Sequence, residues 1–281
     1  MKTIEELQLL STQVRRDILR MTNGAKSGHP GGSLGCTDFF TSLFFNYLRI
    51  DPLAFTMDGR NEDLFFLSNG HISPVFYSVL ARRGYFPVKE LGSFRKLGSR
   101  LQWHPCVNEK LDGIRIASGS LGQGLSVAIG AAISKKLNDD HKLVYCLTGD
   151  GELQEGQNWE ALMFGAHHKI DNIIMVIDNN LKQIDGPTDS VISLGNLKAK
   201  LQSFNWQTIE MNGNDLHDIA LKLPQAIQLT GKSKPVVIIM HTKMGFGVDF
   251  MYDNYKWHGS APNDEQLLNA LAQLPETIGD Y

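Results

Sequence analysis

The chain has 281 residues, of which 42% are hydrophobic and 20% charged, and its formal net charge is −3. This composition is typical of a folded globular protein, and the near-neutral charge excludes a broad nucleic-acid or acidic-membrane footprint. Three widely spaced cysteines favour neither a disulfide framework nor a zinc site. No apolar run approaches the roughly 20 residues that span a bilayer, and the N-terminus lacks a signal-peptide pattern. We therefore expect a soluble cytoplasmic protein without nucleic-acid or membrane partners.

Apolar residues recur every three or four positions over residues 4–21, which predicts an amphipathic helix that ends near Asn23 and Gly24. A glycine-rich stretch follows at residues 27–35. The phenylalanine-rich segment 38–47 is then expected to form a buried helix.

Short apolar runs rich in β-branched or aromatic residues predict the buried strands of a parallel sheet. They lie at residues 64–67, 143–147, 173–177 and 236–240, with a weaker fifth run at 208–211. Helical patterns lie between or after them at residues 124–137, 158–168, 215–229 and 264–274. Strands that alternate with helices imply an α/β fold with a doubly wound, mostly parallel sheet flanked by helices. No repeat or linker divides the chain, so we expect residues 1–281 to form a single domain, with residues 263–281 as a C-terminal helical tail.

Polar residues follow two neighbouring strands of this predicted sheet, at the edge where such sheets bind ligands. Gly149-Asp150-Gly151 follows the second strand, and Asn179-Asn180 follows the third. Asp150 offers a hard anionic oxygen, and its flanking glycines let the backbone approach an anion closely. Because Mg²⁺ prefers oxygen ligands, the spacing predicts a strand–helix–strand unit that binds a magnesium diphosphate. Either motif taken alone is equally compatible with an ordinary turn.

Seven motifs that contain glycine or histidine lie along the chain. They are SGHPGGSLG at residues 27–35, LSNGH at 67–71, WHP at 103–105, GSLGQG at 119–124, GDGELQEG at 149–156, DNNLKQIDG at 178–186 and KMGFG at 243–247. Through these motifs nearly the whole chain resembles the N-terminal half of transketolases. The resemblance implies thiamine diphosphate and Mg²⁺ (or Ca²⁺) as cofactors, with Asp150, Asn180 and the backbone carbonyl of Lys182 as metal ligands. We expect the Lys182 side chain, which has no role in such a site, to point to solvent.

Four of the nine histidines belong to family-like segments: His29, His71, His104 and His258. Imidazole titrates near neutrality and suits a reaction in which a hydroxyl proton leaves and later returns. The resemblance implies that His29 and His258 contact the reacting carbonyl and hydroxyl groups. It places His71 and His104 beside the cofactor phosphate and the donor sugar, with His71 and His258 also contacting the cofactor. We expect ordinary structural roles for the other histidines, which are His141, His167, His168, His217 and His241.

The resemblance assigns further cofactor contacts to Gly119, Leu121, Gly149, Asp150, Gly151, Glu155 and Asn180. Leu121 would lie against the aminopyrimidine ring, although the glycines around it equally suit a tight helix start. A glutamate at the place of Glu155 links the two active sites across the dimer interface in the family; the alternative is a solvated carboxylate in the first turn of a helix. Trp103 stands where the family usually has glycine, which leaves the identity of the donor sugar open.

Full-length transketolases continue for hundreds of residues beyond the last of these motifs, through a pyrimidine-binding domain with an essential glutamate. We therefore expect an N-terminal subunit of a split transketolase that acts on sugar phosphates with a separate C-terminal subunit, in an assembly of two copies of each chain. Three alternatives stay open. The same fold and cofactor could serve an apulose phosphate or a sulfonated sugar. The chain could be half of another thiamine enzyme, such as a 2-oxo-acid dehydrogenase or a deoxyxylulose-phosphate synthase. It could also be a non-catalytic scaffold subunit.

Overall fold

The computed structural model describes Met1–Tyr281 and contains a five-stranded parallel sheet with helices on both faces. The strands are β1 (Leu64–Leu67), β2 (Val144–Gly149), β3 (Ile173–Asn179), β4 (Lys182–Gln183), β5 (Gly186–Pro187), β6 (Gln207–Asn212) and β7 (Val236–His241). Strands β4 and β5 form a separate two-stranded ribbon. The main sheet has the order β1-β2-β3-β7-β6, and all its neighbouring strands are parallel. The predicted α/β sheet is thereby confirmed, including its weaker fifth strand. The antiparallel β4–β5 ribbon was not predicted.

Ten α-helices surround the strands: α1 (Ile4–Gly24), α2 (Pro30–Gly35), α3 (Thr37–Ser42), α4 (Ser73–Arg83), α5 (Gly124–Leu137), α6 (Gly156–His167), α7 (Thr188–Val191), α8 (Leu197–Ser203), α9 (Leu216–Leu229) and α10 (Asp264–Gln273). The predicted helices are all present, although the one expected at residues 38–47 is divided between α3 and a π-helical turn at Leu43–Tyr47. The sequence analysis missed α4. Its residues from Ser73 to Ala81 are all buried, so it lacks the polar face by which a surface helix is identified.

The two faces of the sheet carry separate hydrophobic cores, because successive side chains of a strand point to opposite faces. On one face, Phe65, Tyr145 and Ile174 pack with apolar residues of α1, α3, α4 and α9. On the other face, Phe66 and Cys146 pack with apolar residues of α5, α6 and α8. Both faces are therefore filled by apolar side chains, which leaves the carboxyl ends of the strands as the place where polar residues gather.

The C-terminal residues pack back onto the N-terminal helix. Helix α10 lies against α1, and the Asp280 carboxylate accepts a hydrogen bond from the Arg16 guanidinium at 2.6 Å. The Arg20 guanidinium lies over the Tyr281 ring, 4.9 Å from its centroid. No helix combines the length and the apolar character that a membrane crossing requires. All three cysteines are free thiols.

Candidate active site

A polar cleft of about 350 Å³ opens beyond the carboxyl ends of β2 and β3. All the predicted site residues line it: His29, His71, His104, Gly119, Leu121, Gly149, Asp150, Gly151, Glu155, Asn180, Lys182 and His258. The structure adds residues that the sequence analysis did not single out: Asn69, Glu152, Gln154, Asp178, Gln183 and Ile184. The other five histidines do not line this cleft. Residues more than 200 positions apart along the chain, such as His29 and His258, therefore form one site, as a parallel α/β sheet allows.

Asp150 and Asn180 lie side by side at one end of the cleft. The Asp150 side chain is buried, and its two oxygens accept hydrogen bonds from the backbone N–H groups of Leu181, at 2.5 Å, and Gly151, at 2.7 Å. The side-chain oxygen of Asn180 accepts a hydrogen bond from the backbone N–H of Lys182 at 2.9 Å. The strand–helix–strand unit thus brings a carboxylate, an amide oxygen and the turn at residues 180–182 together.

Two buried carboxyl groups in this part of the cleft, those of Asp150 and Asp178, have raised pKa values. Burial raises the pKa of Asp150 to about 7, and the nearby Asp178 carboxylate acts in the same direction. Burial also raises the pKa of Asp178, against hydrogen bonds from the Thr242 hydroxyl and the Asn180 amide. Ionised carboxylates in such surroundings are stabilised by a cation. This end of the cleft is therefore suited to a hard divalent ion.

The donor set agrees with Mg²⁺ or Ca²⁺ better than with a transition metal. No group of three or more His, Cys, Asp or Glu side chains converges as a metal centre. An ion held here would take its protein ligands from the Asp150 carboxylate, the Asn180 amide and the Lys182 carbonyl. Carboxylate and carbonyl oxygens, completed by phosphate and water, are the ligands that hard cations prefer.

The Lys182 side chain contradicts our expectation that it points to solvent. Its ammonium forms an ion pair with the Asp253 carboxylate, and the side chain is only 16% exposed. Lys243 donates to the other oxygen of Asp253 at 3.3 Å. The expectation was wrong because Asp253 is distant in sequence, and charge-assisted hydrogen bonds hold a lysine that would otherwise extend into water.

Glu152 is a buried carboxylate that the sequence analysis missed. It accepts hydrogen bonds from the backbone N–H groups of Gly122, at 2.8 Å, and Gly149, at 3.0 Å, and from the Ser68 hydroxyl. These contacts tie the GSLGQG segment to the end of β2. Its position inside the GDGELQEG motif was the available signal, but a glutamate in a glycine-rich loop is more often solvated.

Three of the four motif histidines form a compact cluster in the lining of the same cleft. The ring centroids of His71 and His258 are 4.9 Å apart and stacked, and the His29 centroid lies 5.2 Å from that of His71 and 5.6 Å from that of His258. His104 packs against Gly119, which has a φ of +121° and where a Cβ atom would approach the His104 ring to 2.8 Å. Glycine is therefore required at 119 both for the backbone conformation and for the close approach.

Burial keeps these imidazoles neutral. It lowers the pKa of His29 to about 4, and the nearby His258, Arg95 and His104 add to the effect. Burial also lowers the pKa values of His71, His104 and His258. A neutral imidazole has one N–H donor and one acceptor nitrogen, so near pH 7 the cluster is able to accept or donate protons without a fixed charge.

Several polar atoms of the cleft are buried and have no hydrogen-bond partner within the chain. They include the Nδ1 atoms of His29 and His258 and the side-chain oxygen of Asn69. Native proteins satisfy most buried polar atoms, and exceptions mark places where a ligand or water completes the bonding. The cleft therefore has the unpaired donors and acceptors that a polar ligand would use.

Trp103 lies beside the cleft rather than in its lining. Its indole is half exposed and stacks with the Arg95 guanidinium, whose central carbon is 4.1 Å from the ring centroid. Arg95 forms no ion pair with a carboxylate and also donates to the Ser27 hydroxyl. The effect of Trp103 on the donor sugar stays a prediction.

The parallel α/β sheet gathers a Gly-Asp-Gly turn, an Asn-Asn exit and a histidine cluster in one cleft. Residues 8–275 match the family described as "Transketolase, thiamine diphosphate binding domain". The chain belongs to the transketolase family, in which it corresponds to the N-terminal, cofactor-binding domain. The family resemblance noted in the sequence is thereby confirmed.

The chain is similar both to proteins of about its own length and to longer proteins. The chain is 36% identical over 278 residues to an apulose-4-phosphate transketolase subunit of Phocaeicola vulgatus, covering 98% of this chain and 96% of the relative. It is 33% identical over 269 residues to 6-deoxy-6-sulfo-D-fructose transketolase subunit SqwG of Clostridium sp., covering 96% of each. The crystal structure of transketolase from Campylobacter jejuni superimposes with a TM-score of 0.88 at 31% identity over 97% of this chain, but only 43% of that chain is covered.

Proposed function

We propose that this chain is the N-terminal subunit of a thiamine diphosphate- and Mg²⁺-dependent transketolase that transfers a two-carbon ketol unit from a ketose phosphate to an aldose phosphate. The observation that supports it most is the convergence of a histidine cluster and the Asp150–Asn180 pair in one cleft. We take residues 1–281 as one diphosphate-binding domain with a helical tail at 263–281. The roles of the individual residues, given next, belong to the same proposal.

The acidic end of the cleft fits a metal-bound diphosphate. Asp150, Asn180 and the carbonyl of Lys182 would hold the cation, and Gly149 and Gly151 would let the backbone approach the phosphate oxygens. Further contacts to the cofactor would come from His71, Gly119, Leu121, Glu155 and His258. The raised pKa of Asp150 supports this assignment, because a bound cation would stabilise the ionised carboxylate. Thiamine diphosphate, when bound, supplies the carbon nucleophile for cleavage of the bond beside the ketose carbonyl.

The histidine cluster would accept protons from the substrate and return them. The unpartnered Nδ1 atoms of His29 and His258 are available to accept a hydroxyl proton and to return it, or to donate to a carbonyl oxygen. The low pKa of His29 keeps that ring in its neutral, proton-accepting form at pH 7. His71 and His104 would orient the cofactor phosphate and the donor sugar.

A separate C-terminal subunit would supply the pyrimidine-binding domain in an assembly of two copies of each chain. Relatives that are named as subunits have nearly the length of this chain, whereas it covers less than half of the Campylobacter jejuni transketolase. The test measures ketol transfer by the chain alone and by the chain coexpressed with its partner. We expect activity only with the partner, and full activity of the chain alone would refute the divided arrangement. Absence of Mg²⁺-dependent thiamine diphosphate binding by the complete assembly would instead indicate a scaffold role.

A second candidate differs only in the donor sugar. Two relatives that match along nearly the whole chain are named for apulose 4-phosphate and 6-deoxy-6-sulfo-D-fructose. In addition, the Trp103–Arg95 stack occupies the place where the family usually has glycine beside His104. A donor panel containing a standard ketose phosphate, apulose 4-phosphate and the sulfonated ketose decides between the candidates by the ratio of kcat/KM values.

A further inference from the structure

Two lysines from different parts of the chain converge on the carboxylate of Asp253. Lys182, in β4, pairs with one carboxylate oxygen, and Lys243, which follows β7, donates to the other at 3.3 Å. The backbone N–H of Asp253 donates to the carbonyl of Met244 at 2.7 Å. The Lys182 side chain is 16% exposed and that of Asp253 is 34% exposed, so this ion pair is partly shielded from water, whereas Lys243 is half exposed. The carboxylate therefore joins three separate segments of the chain.

Asp253 belongs to the same irregular loop as His258. The loop, residues 249–258, contains only two short turns, Asp249–Met251 and Tyr255–Trp257, and no strand or α-helix. The backbone N–H of His258 donates to the carbonyl of Tyr255 at 2.8 Å. Because no regular element holds His258, the position of its ring depends on how this loop is anchored.

The β4–β5 ribbon packs against the loop on the cleft side. Strand β5 contacts the Tyr255–Trp257 turn, and the Asp185 carboxylate, at the tip of the ribbon, lies near enough to His258 to influence its charge. A Cβ atom at Gly259 would lie 3.6 Å from both the Ile184 side chain and the His29 ring. The ribbon and the loop thus form one wall of the cleft.

We propose that Asp253 is a positioning residue that acts through Lys182 and Lys243 to fix the 249–258 loop against the β4–β5 ribbon, and so couples the position of His258 to the Lys182 carbonyl. The proposal rests on the proposed function, in which His258 exchanges protons with the substrate and the Lys182 carbonyl binds the cation. It adds a residue that does not line the cleft.

Electrostatics explains why one carboxylate is enough for this role. An aspartate carboxylate is ionised in the neutral range, and this one lies between the ammonium groups of Lys182 and Lys243. Without its charge, the loop would lose its ion pair with Lys182 of the ribbon, and the two ammonium groups would lose the carboxylate that lies between them.

Asp253→Asn tests the proposal because it removes the charge and keeps the shape. The residue has a φ of +54°, a left-handed conformation that asparagine tolerates better than most residues. In the complete assembly we expect kcat to fall about tenfold and the Kd for Mg²⁺–thiamine diphosphate to rise several-fold, as for the loss of a charge-assisted hydrogen bond. The matched control is Asp171→Asn, which weakens an ion pair with Lys136 outside the cleft and should change neither value.

A double-variant comparison separates coupling from two independent effects. If Asp253 acts through Lys182, then Lys182→Met combined with Asp253→Asn loses no more activity than the more damaging single variant. Losses that multiply would overturn the proposal, and so would Asp253→Asn with unchanged kcat and Kd.

Hydrogen exchange of the cofactor-free chain provides a measurement that does not depend on activity. We expect amides of residues 253–259 to exchange about tenfold faster in Asp253→Asn and in Lys182→Met than in the unsubstituted chain. Unchanged exchange there would overturn the positioning role. If the variants exchange faster but the complete unsubstituted assembly neither binds the cofactor nor transfers ketol units, the proposed function is contradicted. The inference that Asp253 anchors the loop would still hold.

Discussion

Asp150→Asn should make the ligand-free chain more stable while abolishing its response to metal and cofactor. The Asp150 carboxylate is 1% exposed and lies near the Asp178 carboxylate. Asparagine has nearly the same shape but no charge. The substitution therefore removes an unfavourable buried charge from the folded state together with the only carboxylate among the proposed metal ligands.

The magnitude follows from the pKa of Asp150, which burial raises from 3.8 to about 7. Between these two pH values the folded chain binds a proton that the unfolded chain has released, so the free energy of unfolding decreases as the pH rises. At about 1.4 kcal/mol per pH unit, the loss amounts to about 4 kcal/mol and is complete above pH 7. The asparagine NH₂ group is unable to accept one of the two backbone hydrogen bonds, which costs about 1 kcal/mol. The net expected gain at pH 8 is about 3 kcal/mol.

Urea unfolding at pH 5 and pH 8 measures this difference. We expect the free energy of unfolding of the variant to exceed that of the unsubstituted chain by about 3 kcal/mol at pH 8 and by less than about 1 kcal/mol at pH 5. Mg²⁺ with thiamine diphosphate at 100 times its Kd should add about 2.7 kcal/mol to the unsubstituted chain and nothing to the variant. A variant that is less stable at pH 8 would refute the buried-charge argument. Equal stabilisation of both proteins by the ligands would refute the metal assignment.

Three further substitutions test His29, Gly119 and Trp103. His29→Ala should preserve folding and cofactor binding while turnover falls on the order of 10²–10⁴-fold; an unchanged rate would limit His29 to a structural role. Gly119→Ala should lower activity and stability, because its Cβ would lie 2.8 Å from the His104 ring in a backbone conformation unfavourable for alanine; a fully active variant with unchanged urea midpoint would contradict the packing argument. Trp103→Gly should change the ratio of kcat/KM values between standard and non-standard donor sugars by releasing Arg95 from its stacked position; an unchanged ratio would show that Trp103 does not determine donor choice.

The parts of the fold that the sequence predicted are those whose burial pattern is simple. The strands are short, continuous apolar runs, because both faces of a parallel sheet are covered. Helix α1 shows a clear apolar stripe, and its start is marked by a capping box in which Thr3 and Glu6 exchange hydrogen bonds. Helix α4 gave no such stripe because its first nine residues are all buried. The β4–β5 ribbon is too short for any periodicity to be visible in the sequence.

The predicted site residues were found through motifs and strand ends, and they share a cleft because strand ends share an edge of the sheet. What the motifs did not reveal are contacts between segments that are distant in the sequence. The Glu152 carboxylate accepts a hydrogen bond from the backbone N–H of Gly122, 30 residues away, and Lys182 pairs with Asp253 across 71 residues. Such contacts depend on how loops pack after folding, which local sequence patterns do not encode.

Burial shifts the pKa values of the acidic and the basic groups of the cleft in opposite directions. Burial disfavours charge, so it raises the pKa of the Asp150 carboxyl and lowers the pKa of the His29 imidazole. At the acidic end the unfavourable charge is relieved by a cation, which would make cation binding, and the diphosphate that accompanies it, favourable there. At the histidine end no cation is needed, because neutral imidazoles are stable and retain both a donor and an acceptor. In the proposed function, the Asp150–Asn180 pair would therefore hold the cation of a metal diphosphate, and the neutral histidines would exchange protons with the substrate.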